Sequence, residues 1–269
     1  MKAVSHLEMI RGSIAPVHVL FAIACASHRL DTPSPPYRVL RYVWQHTGKP
    51  ILSAMRAMAR ILKNASMRAL GLSDYKRWSS PRGLEEWWDE RTMAIARLVP
   101  AGSSVIEFGA GRRQLEKFLP AACTYTPSDL VDRGEGTIVC DLNDRPLPNL
   151  SHIAPGVGIF SGVIEYLGDV PALARWLASE GVKTCIASFD PVPSGLGMMG
   201  RYRELGRRRY WGYMNNLTEE DLLRSFASAG FACTHRQTWT SQIILVFCHS
   251  GQSDPRRMSS DASRHLPVS

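Results

Sequence analysis

The sequence predicts an α/β protein with a doubly wound, mostly parallel sheet, closed by an antiparallel strand pair and preceded by a basic helical extension. Three observations predict it. Between residues 103 and 189, short apolar runs alternate with helical patterns. Glycines or acids follow several of those runs, as at Gly109-Ala-Gly111, Asp129 and Asp141. Near the C-terminus, Phe231–Trp239 and Ile243–His249 are strand patterns only a few residues apart, which permits antiparallel pairing but no parallel crossover.

The composition suits one large α/β domain plus an extension: 269 residues, 45% hydrophobic and 21% charged. Six cysteines (Cys25, Cys123, Cys140, Cys185, Cys233 and Cys248) form no C-x-x-C pair, and most sit in apolar runs. They read as buried thiols in a reducing compartment, with neither a metal site nor disulfides expected. The net charge of +8 resides wholly in residues 1–102, which hold 15 Lys+Arg against 7 Asp+Glu. Within 38–82 stand ten basic side chains and one acid, Asp74. Such a stretch suits a membrane surface, a nucleic acid or a phosphorylated substrate; a solvated basic face is the plainer alternative.

In chain order, residues 1–36 hold an apolar run, Ile14 to Ala26, that is too short to span a bilayer. It reads as an export signal, a start assigned too far upstream, or a loosely attached arm. Residues 37–83 form the basic helical extension. Pro50 opens a helix on which Ile51, Met55, Met58 and Leu62 repeat beside Arg56, Arg60 and Lys63. That stripe is expected to pack on a neighbouring domain; peripheral contact of residues 50–70 with an anionic membrane is the alternative. The main domain covers 84–250, beginning with a helix from Leu84 to Leu98. Val105, Ile106 and Phe108 suit a buried strand, and Gly109 and Gly111 a tight turn into a helix. Asp129 lies twenty residues beyond Gly109, near where a nucleotide-binding βαβ unit places its ribose-binding acid.

Further strands are expected at Ala122–Tyr125, Thr137–Cys140, Val157–Phe160 and Lys183–Phe189, with helices at Leu115–Leu119 and Val170–Ser179. Thr218 and Asp221 make a capping pair for a helix that stops at Gly230. Residues 251–269 form a Ser-, Arg- and Pro-rich tail expected to be disordered.

Together these segments resemble the class I, Rossmann-like S-adenosylmethionine-dependent methyltransferases, over about residues 84–249. The resemblance implies a seven-stranded sheet and S-adenosyl-L-methionine as cofactor. Glu107-Phe108-Gly109-Ala110-Gly111 looks like the family's E-x-G-x-G loop at the methionine moiety. Asp129 matches the acid that binds the ribose hydroxyls, and Asp141-Leu142 the pair that reads adenine. Ser161 to Tyr166 resembles the segment beside the methyl donor. Arg113 departs from the pattern, standing where many members carry a small residue.

Methyl transfer asks the protein chiefly to position the nucleophile, with a general base only for poorly acidic acceptors. Glu165 is the candidate base, or alternatively a carboxylate favoured at a helix start. His152 and His235 are further candidates. Residues 191–216, with an arginine run and Tyr210, Trp211 and Tyr213, read as a substrate cover or equally as a solvated basic helix under that aromatic cluster; Tyr166, Arg207, Arg208 and Arg209 are candidate substrate contacts, the arginines suited to carboxylate or phosphate. The reading is thus a methyltransferase acting on a small or glycan-linked acceptor. The alternatives are an RNA methyltransferase using the basic arm, a non-catalytic cofactor-binding module, and a nicotinamide-dependent dehydrogenase. Cofactor supply and free thiols point to the cytoplasm, with the inner membrane face as a variant of it.

Overall fold

The computed structural model describes residues 41–80, 84 and 86–251; the segment 1–36 and the tail 252–269 lie outside them. The chain divides into two units, Met1–Ala59 and Arg60–Ser269. In the first, a wide helical turn at Trp44–Gly48 leads into α1 (Lys49–Ala69), with Pro50 in its first turn. Within the first unit Ile51, Met55 and Met58 are exposed, and so is Leu62 within the second. The face of α1 that is covered within the second unit is a different one: Ile61, Asn64, Met67 and Arg68. A polar residue anchors it, because the Asn64 amide donates to the carbonyls of Arg209 and Tyr210 at 2.9 and 3.0 Å. Among the described residues, no helix is long and apolar enough to cross a membrane.

The second unit continues with α2 (Tyr75–Trp78), capped by Asp74, then a single turn at Glu86–Trp88 and α3 (Asp89–Ala96). There follow β1 (Ser104–Phe108), α4 (Gln114–Phe118), β2 (Thr124–Asp129), β3 (Ile138–Val139), β4 (Val157–Ser161), α5 (Val170–Ser179) and β5 (Thr184–Phe189). The chain ends in α6 (Met198–Trp211), α7 (Glu219–Ala227), β6 (Phe231–Trp239) and β7 (Gln242–His249). The sheet has seven strands in the order β3-β2-β1-β4-β5-β7-β6. β1 to β5 are mutually parallel; β7 is antiparallel to both β5 and β6.

Alternate residues of each central strand feed two cores, as a pleated sheet covered on both faces requires. Ile106, Phe160, Ala187 and Leu245 join Leu173, Leu177 and Phe226 of α5 and α7. Val105, Ile159, Ile186 and Ile244 join Ile95 of α3 and Leu115 of α4 on the opposite side. One element differs from the sequence reading: β2 runs four residues further, through Pro127 to Asp129, so the acid closes the strand itself. Within 191–216 stands a fourteen-residue helix, α6, the alternative that the basic pattern offered to a loop.

Candidate functional site

A cavity of about 410 Å³ opens in the second unit at the C-terminal ends of β1 and β4, where the strand order reverses. Ligands of open α/β sheets bind at that edge. The turn after β1 sets one wall. Gly109 and Gly111 take φ of +71° and +52°, and a Cβ on Gly109 would sit 2.6 Å from Val163 Cγ2, so glycine alone fits. The Gly111 N–H donates to Asp129 Oδ2 at 2.8 Å, fastening the turn to the end of β2. Arg113 also has positive φ, but its guanidinium bonds Glu116 and the Glu135 carbonyl and does not line the cavity.

Four of the carboxylates that line the cavity lead from the turn to the far end. Glu107 is buried and accepts from the Tyr125 hydroxyl at 2.7 Å. Burial lifts its pKa to about 8; the Tyr125 bond opposes that rise and Asp129 adds to it. Asp129, besides its bond to Gly111, pairs with Arg133 at 3.1 Å, and Arg133 also donates to the Trp78 carbonyl. Asp141 holds two donors on Oδ1, the Ser73 hydroxyl at 2.7 Å and the Asn143 N–H at 2.9 Å. Glu165, in the single turn Ile164–Tyr166, is 1% exposed. Its Oε1 accepts from the Asp190 N–H at 2.8 Å, and its Oε2 has no partner among the described residues. Burial raises the Glu165 pKa to about 7, against the pull of Arg91 and with the push of Asp190.

Arg91 of α3 stands between the carboxylates. It is 5% exposed, donates to Gln242 Oε1 at 3.0 Å and to the Ser161 carbonyl at 3.2 Å, and lies over the rings of Trp88 and Trp239. Burial pulls its pKa down, and Glu165 foremost among its neighbours holds the charge in place. Its Nε and the Ser161 hydroxyl are buried without partners among the described residues. The outer wall is aromatic. Tyr166 meets Trp78 and Tyr213 edge-on at 4.8 and 5.3 Å, and Arg77 covers the Trp78 ring. The Tyr213 hydroxyl and Arg207 both donate to Asp190 Oδ2, at 3.0 and 2.9 Å.

All nine residues singled out for a cofactor, from Glu107 to Ser161, line this one cavity, as do Glu165, Tyr166 and Arg207. Arg208 and Arg209 do not. Arg208 is fully buried and donates to the carbonyls of Asp190 and Asn215, so its role is structural; Arg209 is exposed outside the cavity. Arg207 is already neutralised by Glu204 and Asp190. The arginine run therefore offers the cavity no unpaired cation. His152 and His235 are exposed and lie elsewhere. Sequence reasoning missed Arg91, Ser73 and Asn143, and named Tyr213 only as part of the 191–216 cover. Only Asp190, at the C-terminal end of β5, carried a positional signal.

The residues fit a zwitterionic nucleoside such as S-adenosylmethionine. The glycine turn leaves a cradle that a Cβ would fill, the strand-end carboxylates are acceptors of the kind hydroxyl and amino groups need, and Arg91 brings a cation to the same cavity.

No protein-family model matches the chain, and no curated protein matches it. Among solved structures it is similar to the mitomycin 7-O-methyltransferase MmcR, at 12% identity over 72% of this chain and 68% of that one, with TM-score 0.51. Human N-acetylserotonin methyltransferase in complex with SAM covers 77% of this chain and 68% of its own, at 12% identity and TM-score 0.49. The pyocyanin biosynthetic protein PhzM gives 15% identity over 59% of this chain, with TM-score 0.42. The chain spans 54% of PhzM and 55% of the similar calicheamicin-biosynthesis methyltransferase CalO1. Identities this low describe fold alone. The fold is the Rossmann-like, seven-stranded one that the chain shares with MmcR.

Proposed function

We propose that the protein is an S-adenosylmethionine-dependent methyltransferase that acts on a small molecule and uses Glu165 as its general base. One observation carries the reading: a single cavity joins the Gly109–Gly111 turn, Asp129 and Asp141 to a buried carboxylate with a free oxygen. In this reading Asp129 binds the ribose hydroxyls, Asp141 the adenine amino group, and Arg91 the methionine carboxylate. When bound, the cofactor supplies an electrophilic methyl group on a positively charged sulfur.

The remaining chemistry belongs to the chain. Glu165, with its pKa near the operating range, takes the proton of an acceptor hydroxyl or ammonium as the nucleophile forms. The Asp190 N–H fixes the carboxylate by its other oxygen. Trp78, Tyr166 and Tyr213 form a wall suited to a flat or apolar acceptor, and they keep water from the base. With Arg207 paired and Arg208 buried, this wall replaces the arginine run as the basis for acceptor selection. Cytoplasmic location and membrane contact through residues 50–70 stay proposals of the sequence.

Incubating the purified protein with S-adenosylmethionine and a panel of small hydroxyl- and amine-bearing aromatics tests the function. S-adenosylhomocysteine is expected to form with some of them. Calorimetric binding of NAD without binding of S-adenosylmethionine would overturn the reading.

A further inference from the structure

Ser73 lies between α1 and α2, outside the sheet, yet its hydroxyl reaches Asp141 at 2.7 Å. The Asn143 side chain donates to the same Ser73 oxygen at 2.9 Å and to the Tyr166 carbonyl at 2.8 Å, and accepts from the Gly168 N–H at 2.8 Å. Ser73 is therefore a donor toward Asp141 and an acceptor toward Asn143, and a hydroxyl has only one proton to give. Its direction is fixed. Asp141 Oδ1 then carries two donors, from Ser73 and from the Asn143 N–H, while Oδ2 has none among the described residues. Asp141 lines the cavity, as does Ser73. A carboxylate saturated on one oxygen and open on the other presents a pure acceptor in a set direction. An amino group satisfies it; a carbonyl oxygen is repelled. The other end of the same segment is tied as well, because Arg133 bonds the Trp78 carbonyl while paired with Asp129.

We infer that Ser73 is a positioning residue that sets the base specificity of the cofactor site, acting through Asp141 to select a 6-amino purine over a 6-oxo purine. The inference rests on the S-adenosylmethionine reading and deepens it.

The test is calorimetric titration of the full-length protein with S-adenosylhomocysteine and with S-inosylhomocysteine, the melting curve of each variant being recorded alongside. The wild type is expected to prefer the adenosine compound. Ser73→Ala should reduce that preference about tenfold, the size expected for losing a hydrogen bond to a charged group. Ser73→Thr keeps the hydroxyl and should retain the preference; Ser73→Cys, a poorer donor of similar size, should fall between and serves if the alanine variant does not fold. An unchanged preference in Ser73→Ala, or an equal loss in Ser73→Thr, overturns the inference. Equal affinity of the wild type for both compounds also overturns it. If the wild type binds neither compound, the S-adenosylmethionine reading itself falls, and that outcome is recognisable because it does not depend on the substitution.

Discussion

On the Gly109 side, the cavity is bounded by a backbone turn and by carboxylates at strand ends, with Asp129 bonded to Gly111 only 18 residues away. On the Glu165 side it is bounded by side chains gathered from distant parts of the chain: Trp78 of α2, Tyr166 after β4, Asp190 after β5 and Tyr213 after α6. The first half is a property of the sheet, because any chain that pairs β1 with β2 and β4 brings those ends together. The second is a property of the insertions around the sheet. That difference separates what the fold fixes, the proposed nucleoside cradle, from what this chain adds, the proposed acceptor wall and base.

Two substitutions probe the halves separately. Glu165→Gln keeps shape and removes the base, so kcat should fall about 10³-fold, within the range for general-base loss, while affinity for S-adenosylhomocysteine holds. The wild-type rate should rise with pH through about 7, because the carboxylate must be ionised to accept a proton and burial has raised its pKa to that value. The variant should lack that limb. A limb retained in Glu165→Gln would move the base elsewhere in the acceptor half. Gly109→Val does the reverse. Its Cβ would stand 2.6 Å from Val163 Cγ2 at φ of +71°, closing the cradle. Affinity for S-adenosylhomocysteine should drop about 100-fold by calorimetry, the order expected for strain plus overpacking of a few kcal/mol. Near-normal affinity would show that the cradle tolerates a side chain and that the halves are less distinct.

The same division explains what the sequence made legible. Glycines, strand-end acids and the Thr218–Asp221 cap act over short spans, so their spacing shows through, and the capping box forms as the pattern implies. The order of apolar runs similarly exposes the parallel sheet and its antiparallel closing pair. β3 is harder to read, since only Ile138 and Val139 pair. Residues placed by long-range contacts were less legible: Glu165 and Tyr166 stood out after β4, whereas Trp78 did not. Arg91 looks like any helical arginine until Gln242, 151 residues later, receives its guanidinium. Asn64 gives no local hint that it closes the end of α6.

The arginine run offers the finest comparison between neighbours, because three adjacent identical side chains meet three environments. Arg207 shares its guanidinium between Glu204 and Asp190 at the cavity edge. Arg208 is wholly buried, its Nη1 2.7 Å from the Asp190 carbonyl and its Nε 3.2 Å from that of Asn215. Arg208→Met leaves both carbonyls without their donor in the interior and should cost about 3 kcal/mol in denaturant unfolding. Arg209 is exposed, and its backbone carbonyl accepts from the Asn64 amide and from the Gly212 N–H. Arg209→Ala should therefore change stability by less than about 0.5 kcal/mol and leave the acceptor KM at its wild-type value. A tenfold rise in that KM would mean that the acceptor extends past the aromatic wall onto the outer face of α6, and the acceptor half would then be larger than the cavity that defines it.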